Sequence, residues 1–560
     1  MVPLAALAIW VSFSGIHNGF TYDDRYIVLG RGLIHRAHDW WRMFAATWWP
    51  KEWGAEGYRP LTMIGFTWQW VAGNGTPRVF HVTNIALYAL TTVAVYGLAL
   101  QLLPMWGACL AAAFFAVHPV HVEAVANVVG QAEVLTALGT TLAVAWYVHA
   151  RRAGALRPGA AIGILALYVF ALLTKEHGVM LPALLVAAEV LVIPDERPLR
   201  VRARELRPFL LGIVLVTVAY FGARSIVLAE VGFAGFRPFV VFQILKLSYV
   251  DRVLTMLGVV PQWLRLMLWP SRLTTEYAPP DVDIAQGPAL NQLPGVLLLI
   301  GILSLAVILR RRQPVVSFGI AWICLTLLPS SNFIVPAGIL LSERTLFLPS
   351  VGALLAVVAA LVAASERFRG LAVRVPAAVA AAAILVAGGI KSARRTTVWY
   401  DNERLFRQSV VDSPDSYRAH YMLGAWAFAN QHKREGEAEY LRAMRLFPYD
   451  PNLAFSLGEQ YRFMGLCEQA NRYYAWSLAL EPTLWMGRRE YALCLMAGGR
   501  YAEAKQQAFT GLANEGPPPL FRQVLRLVDS VQRADLSKAG QLPKPDGVGK
   551  VRQSMQKAAP

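Results

Sequence analysis

Leu293-Pro-Gly-Val-Leu-Leu-Leu-Ile-Gly-Ile-Leu-Ser-Leu-Ala-Val-Ile-Leu309 contains no charged residue, and Arg310, Arg311 and Arg312 follow it at once. A run of this length and polarity suits hydrocarbon rather than water. A triple arginine at its end marks a loop retained on the cytoplasmic face. The rest of the chain repeats the pattern. Apolar runs cover Pro3 to Ile16, Val79 to Leu103, Met105 to Val117, Leu135 to His149 and Ala160 to Leu173. Others cover Val179 to Ile193, Phe209 to Leu228, Val315 to Leu328, Leu346 to Ala364 and Leu371 to Ile390. Of the 560 residues, 56% are apolar and only 16% charged, against about 25% charged in a soluble domain. The continuous runs predict an all-α polytopic bundle; a β-barrel would alternate apolar with polar residues.

The net charge of +17 does not point to nucleic acid. Its arginines concentrate in short loops (Arg151-Arg152, Arg197 to Arg207, Arg310 to Arg312, Arg367 with Arg369), which is the positive-inside pattern. No basic patch with interleaved aromatics accompanies them. Among the cysteines, Cys109 and Cys324 lie in apolar runs and read as packing residues, and the four form no metal or redox spacing. Cys467 and Cys494 could meet inside a helical repeat. Met1 to Phe13 lacks a basic leader and a small-residue cleavage site, so it reads as a retained first helix.

Topology follows from parity. Placing the four arginine-rich loops in the cytoplasm puts Asp23-Asp24, His118 to Glu133, Lys175-Glu176 and Leu341 to Arg344 on the outer side, together with everything after Ile390. The run Phe239 to Trp269, broken by Lys246, Asp251, Arg252, Pro261 and Arg265, must then make no net crossing and is expected to be interfacial or re-entrant. The result is about eleven spans, with the amino terminus inside and the carboxyl terminus outside. Residues 17–78 form a long, tryptophan-rich first outer loop suited to the headgroup layer.

Beyond residue 392 the composition changes to that of soluble helices. Leu423-Gly424, Leu457-Gly458 and Tyr491-Ala492 share one frame, with small Gly436, Ala470 and Ala504, aromatic Tyr440 and Tyr474, and Pro448 and Pro482 closing units. A period of about 34 residues with these features is the tetratricopeptide pattern, a short α-solenoid of about three repeats. We assign 1–392 to the membrane domain, 393–530 to the repeats, and 531–560 to a disordered tail rich in Pro, Gly, Lys and Gln.

Sorted by side, the ionisable residues gather at outer helix ends: Asp23, Asp24, Arg59, His118, His121, Glu123, Glu133, Lys175, Glu176, His177, Glu343 and Arg344. Charges converging from many helices describe a cavity for a polar, anionic ligand, and its cations suit a phosphate. For the Asp23-Asp24 pair three readings are open: a cap on the following segment, an under-coordinated divalent metal site, or a base. His118 before Pro119 could be a simple interfacial turn, and Lys175-Glu176 and Glu343-Arg344 could be local ion pairs.

The motifs themselves go further. Phe20-Thr-Tyr-Asp-Asp24, Tyr58-Arg-Pro-Leu-Thr62, Phe80-His-Val-Thr-Asn84, Phe115-Ala-Val-His-Pro-Val-His-Val-Glu-Ala124 and Gly130-Gln-Ala-Glu133 occur in the order of one family. Thr174-Lys-Glu-His-Gly178, Leu328-Pro-Ser-Ser-Asn332 and Ser342-Glu-Arg-Thr-Leu-Phe-Leu-Pro-Ser350 continue the series. The chain resembles the transmembrane-and-tetratricopeptide O-mannosyltransferases, which are GT-C class glycosyltransferases. That resemblance implies a multi-pass enzyme taking a sugar, usually mannose, from a polyprenyl- or dolichyl-phosphate donor to Ser or Thr of exported proteins with inversion. It implies a catalytic acid residue in the first outer loop, matching Asp24 or Asp23, with Asp24 favoured here as general base.

Arg59, His118, His121, Glu123, Glu133, Lys175, Glu176 and Arg344 are then expected to bind donor phosphate or sugar. No cofactor is required; a divalent metal is possible but not expected. The expected partners are the lipid-linked sugar, an acceptor protein held through the repeats, and the bilayer, with no nucleic acid. The expected location is the cytoplasmic membrane of a bacterium, or the endoplasmic reticulum in a eukaryote, with site and repeats on the outer side. Gln131, His177 and Phe347 stand where the family typically has Arg, a smaller or amide residue, and Tyr, and the repeat array is short. The alternatives are transfer to a lipid or polysaccharide, and a non-catalytic membrane-anchored scaffold.

Overall fold

Each apolar run forms a helix, because in the absence of water a backbone can satisfy its own donors and acceptors only that way. The computed structural model describes residues 1–50, 57–229, 241–368, 370–514 and 516–538. Among these the regular structure is entirely helical, apart from one isolated bridge between Tyr277 and Leu341. Several helices open on proline, as at Pro77–Leu102, Pro158–Thr174 and Pro314–Leu327, where the missing N–H costs nothing and φ is already helical.

The chain divides into two units, one lying between Met1 and Trp426 and one from Ala427 onward. In the first, the core is built by Pro77–Leu102, Met105–Val117, Gln131–Arg152 and Phe347–Arg367. Tyr88, Phe115, Tyr147, Trp322 and Phe347 are buried there, and the Trp322 indole donates to the Leu348 carbonyl at 2.9 Å. Backbones meet where side chains are smallest. A β-carbon on Gly319 would lie 2.4 Å from the Gly352 carbonyl oxygen, so Pro314–Leu327 and Phe347–Arg367 pack through glycine, as small-residue interfaces in membranes do. Leu293–Leu309, by contrast, buries only Gly295 and turns its aliphatic side chains outward, as a lipid-facing helix does.

Among the described residues six helices are long and apolar enough to cross a membrane, or seven if the bent pair Met105–Val117 and Pro119–Ala126 is one span. The expected number was about eleven. Val2–His17, Pro158–Thr174 and Pro314–Ser330 are apolar but shorter. Polar residues follow at their ends, Asn18, Lys175 and Ser331, and Lys175 belongs to the site below. Of the run Phe239 to Trp269, Phe239 and Val240 lie outside the described residues; the rest forms Phe242–Lys246 and Tyr249–Leu268, the latter with Pro261 inside it and too many charges to qualify as a span. Within residues 17–78, whose tryptophans suit helices lying in the headgroup layer, is the helix Pro60–Ala72. Arg369 lies outside the described residues.

The helices from Tyr417 onward keep a strict register. Tyr417–Ala429, Pro451–Phe463 and Trp485–Ala497 alternate with Lys433–Leu446, Cys467–Leu480 and Tyr501–Asn514, so that each series advances by 34 residues. Ala470 and Ala504 are fully buried. A β-carbon on Gly458 would meet the Tyr474 ring at 2.8 Å, which is why this frame selects glycine. Cys467 and Cys494 form a disulfide across 27 residues. The final helix runs from Pro518 to Lys538, and the rest of the segment expected to be a disordered tail, 539–560, lies outside the described residues.

Candidate active site

The loop after the first helix is pinned before it reaches its acids. Asn18 Nδ2 donates to the Thr396 carbonyl at 3.2 Å and the Gly19 N–H to that of Tyr400 at 2.8 Å. Tyr22 then adopts φ +56°, a left-handed conformation that a β-carbon disfavours, and the chain delivers Asp23 and Asp24 into the protein. Both are buried, at 3% and 0% exposure.

The two carboxylates are held in different ways. Asp24 Oδ1 accepts the Val129 N–H at 2.9 Å, and Oδ2 accepts those of Thr21 and Val128 at 3.1 and 3.3 Å. Burial, and then the charge of Asp23, push the Asp24 carboxyl well above its usual range. Asp23 is instead surrounded by side chains: Asn127 Nδ2 donates to Oδ1 at 2.9 Å and Arg344 Nη1 to Oδ2 at 3.0 Å. Arg344 also faces Glu123, with Nε 3.5 Å from Oε1, and its backbone N–H donates to Oε2 at 3.0 Å. The Ser342 hydroxyl donates to the same carboxylate. One guanidinium thus sits between two buried carboxylates, the geometry for which arginine is suited.

The turn carrying Asn127, Val128 and Val129 is itself supported, because Asn84 Nδ2 donates to the carbonyls of Val125 and Asn127 at 3.2 and 3.0 Å. It also requires glycine at 130, where a β-carbon would sit 2.3 Å from the Ala124 carbonyl oxygen. Gly130→Ala is therefore expected to destabilise the protein by about 1–3 kcal/mol, the cost of overpacking. A shift in the thermal midpoint of the detergent-purified variant reads this out; an unchanged midpoint would show that the turn can yield.

A second group of charges collects at the ends of neighbouring helices. Lys175 pairs with Glu133, both buried. Arg59 Nε lies 3.0 Å from Glu176 Oε2, and its guanidinium lies 4.6 Å from the centre of the Trp48 ring. The Tyr58 N–H donates to Glu176 Oε1 at 2.9 Å. The Thr62 hydroxyl donates to the Thr174 carbonyl at 2.9 Å, which ties Pro60–Ala72 to the end of Pro158–Thr174. Burial, opposed by Glu133, lowers the Lys175 ammonium to about 8. Burial pushes Glu176 up, but Arg59 and backbone N–H groups outweigh it and hold the carboxyl at about 2. Burial and the neighbouring Lys175 lower His177 to about 4, and both its ring nitrogens are buried without a hydrogen-bond partner. Arg344 acts electrostatically on Lys175 and Glu133, so the two groups of charges share one field.

Of the residues expected from sequence, then, Asp23, Glu123 and Arg344 come together directly, with Asp24 beside them. Arg59, Glu133, Lys175 and Glu176 form the adjoining group. His118 and His121 stand apart from both, while His177 lies beside Lys175. His118 Nε2 donates to the Met267 carbonyl at 3.0 Å, and its Nδ1 accepts the Val120 N–H at 3.3 Å. His121 packs against Phe115 and Phe347, with Nδ1 3.0 Å from the Phe115 carbonyl and Nε2 2.8 Å from the Ser350 hydroxyl. Asn84 and Ser342 stand in the quoted motifs without a role assigned to them, and Asn127 escaped sequence reasoning; an amide at 127, in an otherwise apolar stretch between two motifs, was the available signal. Among the described residues no group of three or more His, Cys, Asp or Glu could hold a metal ion.

No family model matches the chain. Known proteins do. Protein O-mannosyl-transferase TMTC3 of Homo sapiens is 22% identical over 570 residues, covering 93% of this chain and 59% of the relative. Protein O-mannosyl-transferase TMTC4 of Homo sapiens is 25% identical over 474 residues, 74% of this chain and 62% of the relative. Protein O-mannosyl-transferase Tmtc1 of Drosophila melanogaster is 34% identical over 181 residues, 31% of this chain and 21% of the relative. The chain thus spans less than two thirds of the length of these relatives. Along most of its own length it is similar to proteins named protein O-mannosyl-transferase.

Proposed function

We propose that the protein is a GT-C membrane glycosyltransferase moving mannose from a polyprenyl-phosphate donor to Ser or Thr of exported proteins, with Asp23 as general base. The observation that carries this reading is the buried Asp23–Arg344–Glu123 arrangement beside the cationic Lys175 and Arg59. A carboxylate next to fixed cations is what a displacement at a sugar phosphate needs. The acceptor hydroxyl oxygen attacks the anomeric carbon as its proton passes to Asp23. The bond from that carbon to the phosphate oxygen breaks, and the departing lipid phosphate takes the electron pair. Its charge is met by Lys175, Arg59 and Arg344. A phosphate leaves readily and these side chains supply the cations, so the displacement does not require a cofactor.

Sequence alone favoured Asp24 over Asp23. What supports Asp23 is the state of the oxygens: both of those on Asp24 accept backbone N–H groups, whereas those on Asp23 accept from the side chains of Asn127 and Arg344. The arginine-rich loops argue for an outward-facing site in the cytoplasmic membrane. The Cys467–Cys494 disulfide argues for an oxidising compartment around the helices after Tyr417. The 34-residue register of those helices supports a tetratricopeptide reading, with the acceptor protein as ligand.

The test is mass spectrometry of envelope proteins from cells with and without the gene. Loss of hexose from Ser or Thr is expected, whereas an unchanged protein profile with altered lipid or polysaccharide would sink the acceptor assignment. A second expectation concerns pH. Lys175 titrates at about 8, so it binds phosphate as a cation below that pH and loses its charge above it. KM for the donor is expected to rise by roughly tenfold per pH unit beyond that point. In Lys175→Met the KM is expected to be high at every pH and this dependence to vanish. A donor KM flat from pH 7 to 10 in the unaltered protein would remove Lys175 from the phosphate site.

A further inference from the structure

We infer that Glu276 and Arg418 are positioning residues that hold Asp23 in place through Tyr22. The inference rests on the reading of Asp23 as the base. Tyr22 directly precedes Asp23 and has φ +56°, a conformation that persists only where its surroundings over-determine it. Here they do. The Tyr22 N–H donates to Asn402 Oδ1 at 2.8 Å, and its hydroxyl donates to Glu276 Oε1 at 2.7 Å. Glu276 Oε2 in turn accepts from Arg418 Nε at 2.8 Å.

Every member is buried, with Tyr22 at 8%, Glu276 at 3% and Arg418 at 2% exposure. The segments that carry Glu276 and Arg418 are joined to each other as well, since the Tyr417 N–H donates to the Pro279 carbonyl at 3.1 Å. A buried ion pair contributes little net stability, because desolvation offsets its attraction, and it is better suited to specifying one arrangement. The arrangement specified here is the turn that presents Asp23. Neither Glu276 nor Arg418 is needed for the proton transfer itself, and neither touches the charges around Lys175 in any contact described above.

Tyr22→Phe tests this most cleanly, because it removes one hydroxyl and leaves the Glu276–Arg418 pair intact. Two measurements are made on the full-length protein in detergent: hydrogen exchange of the segment 19–27, and steady-state transfer. Exchange in that segment is expected to rise by about fivefold or more. Turnover per folded molecule is expected to fall by a similar factor at unchanged KM for the donor. Glu276→Gln, which also disturbs Arg418, is expected to exceed both effects. A purely structural role would lower the yield of folded protein but leave turnover per folded molecule unchanged. Unaltered exchange in both variants would overturn the inference. If the unaltered protein transfers no mannose while exchange responds as expected, it is the proposed function that fails and the clamp that stands.

Discussion

Asp23→Asn is expected to lower mannosyl transfer by roughly 10²–10⁴-fold, the usual contribution of a positioned general base, in a protein that still inserts and folds. The substitution keeps the size and planarity of the side chain. The amide oxygen can still accept from Arg344, while its NH2 meets Asn127 Nδ2; the Asn127 amide can flip to accept it, giving up its 3.2 Å bond from the Val129 N–H, and Arg344 retains Glu123 as countercharge. What is lost is the lone pair able to take a proton. Asp24→Asn should behave differently. Both oxygens of Asp24 accept backbone N–H groups, so an amide there turns N–H against N–H whichever way it is flipped. That leaves a buried donor unsatisfied at a cost of about 1–3 kcal/mol. Its main effect should be less folded protein, with the surviving molecules retaining turnover. Activity per folded molecule therefore separates the two adjacent aspartates.

Arg344→Met should have the largest effect on stability. Asp23 and Glu123 are both buried and both face this one guanidinium, so its removal leaves two carboxylates in a low-dielectric interior without the countercharge they share. Breaking a buried pair by deleting one member costs about 3–5 kcal/mol, and here two partners are stranded. Arg344→Lys restores the charge but not the fork that spans two carboxylates, and an intermediate loss is expected. Adding Glu123→Gln to Arg344→Met removes one orphaned charge and should recover part of the stability. Thermal unfolding of the four proteins in detergent measures the series. A double variant no more stable than Arg344→Met alone would show that Glu123 does not depend on Arg344.

The sequence was most legible where the physics is local. Apolar runs long enough for hydrocarbon became helices close to their expected ends, since in lipid no other backbone state is open to them. The 34-residue frame after residue 416 was equally plain, because the positions that must be small are forced by ring contacts such as that of Tyr474 with Gly458. It was less legible where length alone was the guide. Pro158–Thr174 reads as a span by hydropathy yet stops at Lys175, and among the described residues six or seven helices qualify by length and composition.

Within the site, grouping the charges at helix ends located the right neighbourhood, but the choice of partners is tertiary. Nothing local says that Arg344 meets Asp23, more than three hundred residues away. Nor does the sequence say that His118 and His121 spend their nitrogens on carbonyls and Ser350. Asp23 and Asp24 are adjacent and chemically identical, and only the turn at 127–130 tells them apart. Glu276 and Arg418, in segments read as ordinary connection and repeat, carried no signal at all.

The central claim is that Asp23 accepts the proton of a protein hydroxyl during transfer from a lipid phosphate. It is tested most directly by purifying the unaltered protein and Asp23→Asn, supplying polyprenyl-phosphate mannose and a Ser/Thr-rich exported polypeptide, and weighing the polypeptide intact. A hexose added by the unaltered protein and absent with the equally folded Asp23→Asn variant is the result predicted. Equal addition by both proteins would contradict it.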